Sequence, residues 1–307
     1  MKKLLVALGG NAMIKKGQVG TIEEQLENLK TPVSQIAQLC RNYRIVITHG
    51  NGPQVGNILM QQESTDAVPR MPLEICVAQT QGQIGYMIES TLDNELMKLN
   101  EDMRYLFVTV ITYVMVDPND DAFKKPTKPI GPSYTAEEMR TRPYRFIKTS
   151  KGYRRVVASP RPLTIVEKRE IAKLLESGFI VIACGGGGIP VTKRGRLFEG
   201  IEAVIDKDLA SAKLAEEVGV NVMVIATDVE KVALNYGKPN QTDLDRLTIK
   251  DAERYLDEGQ FEEGSMKPKI EAAVQFLKSG GEMVIVTSTD RIVEALERRA
   301  GTEILRG

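Results

Sequence analysis

The most restrictive feature of the sequence is an apolar strand that stops at four consecutive glycines. Phe179 to Ala183 is a continuous apolar run with several β-branched residues, which is typical of a strand buried on both faces of a parallel sheet. Gly185 to Gly188 follow it. Because glycine lacks a Cβ, such a turn can adopt positive φ and bring backbone N–H groups close to an anion. The stretch predicts an α/β sheet that presents a loop to an anionic ligand.

Two other apolar strands end in the same way. Leu4 to Leu8 runs into Gly9-Gly10-Asn11, and Arg44 to Thr48 runs into His49-Gly50-Asn51-Gly52. Ligands of open α/β sheets bind at the carboxyl ends of the strands, so the three turns are expected to surround one cleft. We interpret the lone histidine, His49, as a structural hydrogen-bond donor; a general base is the less favoured alternative.

Lysines stand at two helix starts where a cation is locally unfavourable. Asp206-Lys207-Asp208 leads into an expected helix with Asp208 as its N-cap, and Lys269 stands at the start of a later helix. The helix dipole disfavours a cation there by about 0.3–1 kcal/mol. Phosphoryl transfer would account for these lysines, because positioned donors and cations stabilise its charged transition state. The absence of a Walker A motif, a His-Arg-Asp loop and a GxGxxG fingerprint argues against the common kinase and dinucleotide-binding folds.

The composition is that of an ordinary globular protein, and 307 residues suffice for one large α/β domain or two lobes. Lysine plus arginine equals aspartate plus glutamate, at 41 each, so no net field recruits nucleic acid or an anionic membrane. Cys40, Cys76 and Cys184 lie in apolar stretches without metal-ligand spacing, and we interpret them as reduced core residues of a cytoplasmic protein. The apolar run LLVAL near the first residue is too short for a signal peptide or a membrane span.

Strands and helices alternate along most of the chain, which predicts a mostly parallel sheet. The local predictions are a capping box at Thr21 and Glu24, another at Thr164 and Glu167, a long helix from Pro72 to Leu99, a strand from Tyr105 to Val116 and a loop over residues 229–240.

Between Asp117 and Pro162 the regular alternation stops, and prolines are interleaved with basic residues. Phe146 to Thr149 and Tyr153 to Val157, joined through Gly152, are expected to pair as a hairpin. Long ordered insertions in compact domains are often lids or binding loops, and the prolines in KPTKPIGP stiffen this one. We therefore interpret the segment as an ordered lid; a merely solvated basic loop is the alternative.

The chain resembles the carbamate kinases of the amino acid kinase superfamily over essentially its whole length. The resemblance lies in motifs that follow one another in the family's order, namely ALGGNA, HGNGPQVG, KPTKPIGP, GYRRVVASPRP, CGGGGIPV, EAVIDKDLAS, ATDVEKV and GSMKPKIEAA. It implies a three-layer α/β/α sandwich with a mostly parallel central sheet. It also implies an N-terminal carbamate-binding lobe (1–226) with a protruding lid subdomain (about 117–162), and a C-terminal nucleotide-binding lobe (227–307).

The same resemblance implies the reaction and its partners. Members of the family transfer a phosphoryl group reversibly between ATP and carbamate, giving ADP and carbamoyl phosphate, with Mg²⁺ held mainly by the phosphates and no obvious protein metal ligand. We also expect a homodimer through the Pro72 to Leu99 region. The residues fit equally well a role in ATP formation from arginine breakdown and a role in carbamoyl phosphate supply.

Site residues are assigned by motif from this resemblance. The expected catalytic residues are Lys128, Lys207, Asp208 and Lys269. The residues expected around carbamate and the transferred phosphoryl group are Gly9, Gly10, Asn11, Gly50, Asn51, Gly52, Gly185, Gly186 and Gly187. The residues expected to line the nucleotide are Thr227, Asp228, Val229, Lys231, Asn235, Met266 and Pro268. Ala233 stands where the family has a bulkier residue such as tyrosine, so the nearby adenine or ribose contact is left open.

Ala7 separates this chain from relatives that act on larger carboxylates, which usually have a lysine two residues before the first glycine pair. Lys128 matches the family lysine that supplies this charge from the lid instead. Two alternatives stay open from the sequence, namely another amino acid kinase acting on a carboxylate or a nucleoside monophosphate, and a catalytically silent nucleotide-binding sensor.

Overall fold

The fold was analysed in a computed structural model that describes residues 1–101, 104–149 and 152–307. The helices are α1 (Ile22–Leu39), α2 (Gly52–Glu63), α3 (Leu73–Lys98), α4 (Ala136–Arg140), α5 (Lys168–Glu176), α6 (Lys207–Val218), α7 (Ile249–Asp257), α8 (Met266–Lys278) and α9 (Ile292–Leu296). The strands are β1 (Lys2–Leu8), β2 (Tyr43–His49), β3 (Phe107–Thr109), β4 (Tyr113–Val116), β5 (Lys128–Tyr134), β6 (Phe146–Thr149), β7 (Gly152–Val157), β8 (Pro162–Ile165), β9 (Ile180–Ile182), β10 (Ile189–Arg194), β11 (Leu197–Gly200), β12 (Val222–Thr227), β13 (Val232–Leu234), β14 (Thr242–Leu244), β15 (Arg246–Thr248), β16 (Met283–Ser288) and β17 (Thr302–Leu305).

The central sheet has the strand order β15-β17-β16-β12-β1-β2-β9-β3. Its pairs are parallel except for β16 with β17. Alternate residues of β1 point to opposite faces, as the pleat of a strand requires. Leu5 and Ala7 pack in the core with α5, α6 and α8, whereas Leu4, Val6 and Leu8 pack in the core with α1, α3 and α9. The predicted three-layer α/β/α sandwich is therefore confirmed.

The residues between Asp117 and Pro162 contain a separate antiparallel sheet of order β5-β7-β6, and the predicted hairpin is confirmed as β6 paired with β7. This sheet lies on α2 through two glycines. A Cβ on Gly56 of α2 would be 1.9 Å from the Cα of Gly131 in β5. Because any side chain at Gly56 would push β5 away, the glycine pair sets how closely the insertion approaches the helix that follows the second glycine turn.

The predicted strand from Tyr105 to Val116 is wrong as a single element. β3 belongs to the central sheet, whereas β4 belongs to a second sheet of order β11-β10-β4-β8. The chain changes sheets at Thr112, whose N–H donates to the side-chain oxygen of Gln81 at 2.9 Å. The buried side chain of Gln81 in α3 thus takes the place of a strand partner at Thr112. Local β propensity does not reveal such a partner.

The capping box at Thr164 and Glu167 is also wrong. Thr164 lies in β8 and its hydroxyl donates to Glu217, while Glu167 accepts the N–H of Tyr113 at 2.8 Å. α5 begins at Lys168 without a side-chain cap. Both side chains are occupied by partners far along the chain, so their three-residue spacing is a coincidence. The loop expected over residues 229–240 contains β13, which pairs with β14 as a short hairpin.

Other local predictions are confirmed. Thr21 and Glu24 form a reciprocal capping box at the start of α1. The long helix predicted from Pro72 to Leu99 is α3. In the described part of the chain, no helix combines the length and the apolar character needed to cross a membrane.

Candidate active site

A cavity of about 1190 Å³ lies at the carboxyl ends of the central strands. The turns predicted to meet there do meet. Gly10 and Asn11 line it after β1, Gly50, Asn51 and Gly52 after β2, Gly186 after β9, and Thr227 and Asp228 at the end of β12. The parallel sheet brings these turns together because it places the carboxyl ends of β1, β2, β9 and β12 at one edge.

Backbone bonds and close packing hold the glycine turns against one another. The N–H of Gly50 donates to the carbonyl of Leu8 at 3.0 Å, and the N–H of Gly9 donates to the carbonyl of Ala226 at 2.9 Å. Gly186 has φ of +66°, and a Cβ there would lie 2.1 Å from Nδ2 of Asn51. Both the backbone conformation and the space require glycine at this position.

The first residues of α6 carry a buried charge cluster. Asp206, not the predicted Asp208, is the N-cap, and its Oδ1 accepts the N–H groups of Asp208 and Leu209. Asp206 has the extended backbone that an N-cap requires, whereas Asp208 already lies inside the helix. The carboxylate of Asp208 is therefore free to contact two cations. Nζ of Lys207 lies 2.5 Å from its Oδ1, and Nζ of Lys269 lies 3.1 Å from its Oδ2.

These three charges alter one another's protonation. Burial opposes ionisation of Asp208, but the nearby Lys207 and Lys269 outweigh it and hold the pKa of the carboxyl well below its usual range. Burial lowers the pKa of Lys207, with the neighbouring Lys269 adding to the effect and Asp208 opposing it. For Lys269, attraction to Asp208 exceeds the effect of burial and raises the pKa. The cluster is a fixed carboxylate between two cations, with Lys207 the easier of the two lysines to deprotonate.

Lys128, at the start of β5, reaches the same cluster from the insertion. Its Nζ lies 2.5 Å from Oδ2 of Asp206, and its side chain is 25% exposed. Asp206 therefore joins two elements, because one oxygen caps α6 while the other holds the lysine of the insertion. Lys207 also packs beside the second glycine turn, since a Cβ on Gly50 would be 3.7 Å from its Cδ.

The remaining predicted residues fall into two groups. Gly9, Gly185 and Gly187 support the turns from behind the cavity lining, and Pro268 lies in the lining beside Lys269. Among the described residues, four predicted nucleotide contacts lie outside this lining: Val229, Lys231, Asn235 and Met266. Lys231 pairs with Asp245 at 2.6 Å instead, and Ala233 is buried in β13.

Sequence reasoning missed several residues of the lining. Lys15 and Lys16 follow the first glycine turn, and Arg154 comes from β7. The guanidinium of Arg154 donates to the carbonyl of Gly131 through Nε at 3.1 Å and Nη2 at 2.8 Å, and burial lowers its pKa. All three were visible as charges, but nothing local distinguishes Lys15 and Lys16 from solvated loop residues, and Arg154 is far in sequence from the glycine turns. In the described lining, six cationic side chains face four acidic ones, a balance that favours anions.

His49 lies behind the lining and is fully buried. Its Nδ1 is 3.1 Å from the carbonyl of Gly50, and a Cβ on Gly185 would be 2.4 Å from Nε2. Burial lowers its pKa to about 4, so the ring is neutral near pH 7 and donates through Nδ1. This environment supports the interpretation of His49 as a structural donor.

The donor set of the cavity fits a metal ion carried by phosphates. Within the described ranges, no three or more histidine, cysteine, aspartate or glutamate side chains are grouped to hold a metal ion. Asp228 nevertheless lines the cavity, and Oγ1 of Thr227 lies 3.1 Å from its Oδ1. Mg²⁺ is usually bound through one or two carboxylates, water and substrate phosphates rather than by a protein cage. The site thus fits Mg²⁺ that arrives with a nucleotide.

Comparisons with known proteins agree with this geometry. The sequence profile of the amino acid kinase family matches residues 2–288. The carbamate kinase of Thermococcus kodakarensis is 47% identical and is covered over 100% of both chains. That of Pyrococcus horikoshii is 45% identical over 99% of both. A solved structure of carbamate kinase from Giardia lamblia bound to AMP-PNP is 38% identical, has a TM-score of 0.91 and is matched over 99% of this chain and 98% of that chain.

Proposed function

The chain belongs to the amino acid kinase family, and on that premise we propose that it transfers a phosphoryl group reversibly between ATP and carbamate, giving ADP and carbamoyl phosphate. The full-length similarity to carbamate kinases supports this substrate pair. The observation that carries the proposal is the buried cluster of Lys207, Asp208 and Lys269 in the wall of a cavity that is also lined by glycine turns.

The cluster suits an in-line phosphoryl transfer. The transferred group carries its negative charge on equatorial oxygens in a loose transition state, so the protein contributes mainly alignment and neutralisation. Lys207 and Lys269 provide the positive charges, and Asp208 holds both ammonium groups in place. Because the cluster is preorganised and buried, the two lysines need little rearrangement when charge develops. The turns at Gly10, Gly50 and Gly186 let backbone N–H groups approach the phosphoryl oxygens.

Lys128 completes the charge on the acceptor side. Ala7 is buried in β1 and brings no cation to the cavity, whereas Lys128 reaches Asp206 from the insertion. We propose that the insertion (about 117–162) is a lid, and that Lys128 exchanges Asp206 for the substrate when carbamate or carbamoyl phosphate binds. Closure would also shield these substrates from water, in which they decompose.

The nucleotide is assigned to the C-terminal part of the chain. We propose that residues 227–307 bind ATP or ADP and residues 1–226 bind carbamate, a division supported by the lining, which comes from both ranges. We assign Thr227, Asp228 and Pro268, which line the cavity together with Lys269, to the nucleotide side. When bound, Mg²⁺ would supply further neutralisation of the phosphate oxygens, with Asp228 as the protein residue placed to hold it.

We also infer a homodimer through the Pro72 to Leu99 region. On α3, Tyr86 is 69% exposed and Ile75 is 43% exposed, and the tip of the adjacent β10–β11 hairpin carries Leu197 at 69%. Gly200 of this hairpin packs on Glu74 of α3, so the apolar side chains belong to neighbouring elements. Light scattering that shows a monomer at micromolar concentration would contradict this inference. The cysteines are all free and buried, which agrees with a cytoplasmic location.

A coupled assay tests the proposed function. The protein is mixed with carbamoyl phosphate and MgADP, and ATP is detected with a second enzyme against a control without protein. ATP formation well above this background is expected. Absence of ATP would overturn the proposal, and parallel reactions with acyl phosphates and nucleoside diphosphates as phosphoryl donors would then identify another amino acid kinase. Nucleotide binding without any transfer would instead indicate a sensor.

A further inference from the structure

Helix α3 carries two consecutive polar side chains that are buried but do not line the cavity. Thr80 is 0% exposed and Gln81 is 1% exposed. Burying a polar side chain is unfavourable unless its hydrogen bonds are made, and an aliphatic residue would fill the same space without that cost. The partners of these two side chains therefore indicate what they contribute.

The side-chain amide of Gln81 bonds to the third glycine turn and to Thr112, the residue that holds this turn. Its Nε2 donates to the carbonyl of Gly185 at 3.1 Å and to the carbonyl of Thr112 at 3.2 Å, and its Oε1 accepts the N–H of Thr112 at 2.9 Å. Thr112 in turn holds both ends of the turn. Its Oγ1 accepts the N–H of Cys184 at 3.0 Å, and its carbonyl accepts the N–H of Ile189 at 2.9 Å.

Thr80 serves the second glycine turn in the same way. Its Oγ1 accepts a hydrogen bond from Nδ2 of Asn51 at 2.8 Å, and it donates one to the carbonyl of Val77 within α3 at 2.6 Å. The amide of Asn51 is thereby held beside Gly186, where an added Cβ would lie 2.1 Å from its Nδ2. Two buried side chains of one helix thus hold two turns that follow different strands and contact each other.

We propose that Gln81 and Thr80 are positioning residues for the phosphoryl acceptor site. They act through Gly185, Gly186 and Asn51, and they set where the N–H donors of these turns point. The proposal rests on the proposed function, because it assumes that the glycine turns bind carbamate or the carbamoyl group. The ammonium groups of Lys207 and Lys269 are held by Asp208, whereas Thr80 and Gln81 bond to Asn51, Val77, Thr112 and Gly185, so substitutions at Thr80 or Gln81 should leave nucleotide binding unchanged.

The decisive experiment compares two glutamine substitutions on the same helix. Gln81→Met keeps the size of the side chain but removes its three hydrogen bonds, whereas Gln79→Met makes the same chemical change at an exposed position two residues away. For Gln81→Met we expect KM for carbamoyl phosphate to rise about tenfold, less than the 10²-fold that a misplacement of about 1 Å can cost. KM for ADP should stay within about twofold of wild type, and Gln79→Met should change neither value.

A purely structural role predicts another pattern. Unchanged KM values in folded Gln81→Met would overturn the proposal, and so would an equal loss toward both substrates that follows the fall in Tm. If Gln81→Met does not fold, Thr80→Val provides the same test, because it removes the acceptor of Asn51 in a side chain of similar shape. The same rise in KM for carbamoyl phosphate alone is then required.

Hydrogen–deuterium exchange separates failure of this proposal from failure of the proposed function. Peptides covering residues 183–190 should exchange faster in Gln81→Met than in wild type or Gln79→Met. An inactive wild-type protein would overturn the proposed function, and the exchange result would still decide whether Gln81 holds the turn. Equal exchange in all three proteins would refute the positioning role.

Discussion

Asp208→Asn is the substitution whose consequences the structure specifies most completely. The carboxylate is buried, with 3% of its side chain exposed, and it contacts the ammonium groups of both Lys207 and Lys269. Asparagine keeps the shape but removes the charge. In the absence of nucleotide, two buried cations then face each other without the carboxylate that contacts both of them, so the folded state is destabilised. Bound phosphates would replace the lost charge.

The expected size of this effect is bounded from two sides. Removing one member of a buried ion pair typically costs about 3–5 kcal/mol. Lys207 can relieve the repulsion by losing its proton. At about pH 7.5, deprotonating a lysine with the ordinary pKa of 10.5 costs about 4 kcal/mol, and this cost is an upper limit because burial lowers the pKa of Lys207. A loss of about 3 kcal/mol is therefore expected. With an unfolding entropy of about 2.1 cal/mol/K per residue, this loss lowers Tm by about 5 °C.

Thermal unfolding with and without MgADP measures both parts of the argument. Ligand-free Asp208→Asn should melt about 5 °C below wild type, and MgADP should raise its Tm by more than it raises that of wild type. The turnover number should fall at least about tenfold, because the lysines are no longer held in place. Asp257→Asn, the same change at an exposed position, is the control. Equal melting of ligand-free variant and wild type, or equal stabilisation by MgADP, would refute the reasoning.

Three further predictions concern single residues. Lys207→Ala and Lys269→Ala should each lower kcat about 10²–10³-fold in steady-state assays; a lower Tm with normal kcat in the folded fraction would show a structural role. Lys128→Ala should lower kcat/KM for carbamoyl phosphate at least about tenfold with ADP binding retained, and unchanged kinetics would reject the charge assigned to the lid. Because burial lowers the pKa of His49 to about 4, wild type should lose up to about 3 kcal/mol of unfolding free energy as pH falls from 6.5 toward 4. His49→Gln should lack this part of the pH dependence in urea unfolding; parallel curves for the two proteins would contradict it.

The sign of the histidine prediction follows from where the proton binds. The unfolded chain protonates His49 near pH 6.5, whereas the folded protein resists protonation until about pH 4. Between these values the unfolded state binds more protons, so stability is complete above the window and is lost as pH falls through it.

Much of the candidate site could be predicted because its signals are local. Glycine after an apolar strand requires an unusual backbone, and lysine at a helix start opposes the dipole, so each position departs from what its neighbours favour. The structure brings Gly10, Gly50, Gly186, Lys207 and Lys269 to one cavity. Lys15, Lys16 and Arg154 were missed since a charged residue on a loop or strand is locally unremarkable.

The two errors at helix ends share one physical cause. The N-cap was assigned to Asp208 instead of Asp206, and a capping box was assigned to Thr164 and Glu167. A short polar side chain can satisfy a helix end or a partner more than fifty residues away, and spacing along the chain does not tell which. Glu167 accepts the N–H of Tyr113 because β4 and β8 are neighbours in the second sheet.

Local sequence specifies most of the strands and helices and the residue types at their ends. Apolar runs, glycine turns and alternation specify parallel strands covered by helices, because burial and backbone freedom depend on residue type. The pairing of charges and polar groups that are far apart in the chain depends instead on the tertiary structure. Asp206 holds Lys128 across 78 residues, and Gln81 holds Gly185 across 104. Such pairings depend on distances of about 3 Å between atoms of packed elements, and only the completed sandwich sets those distances.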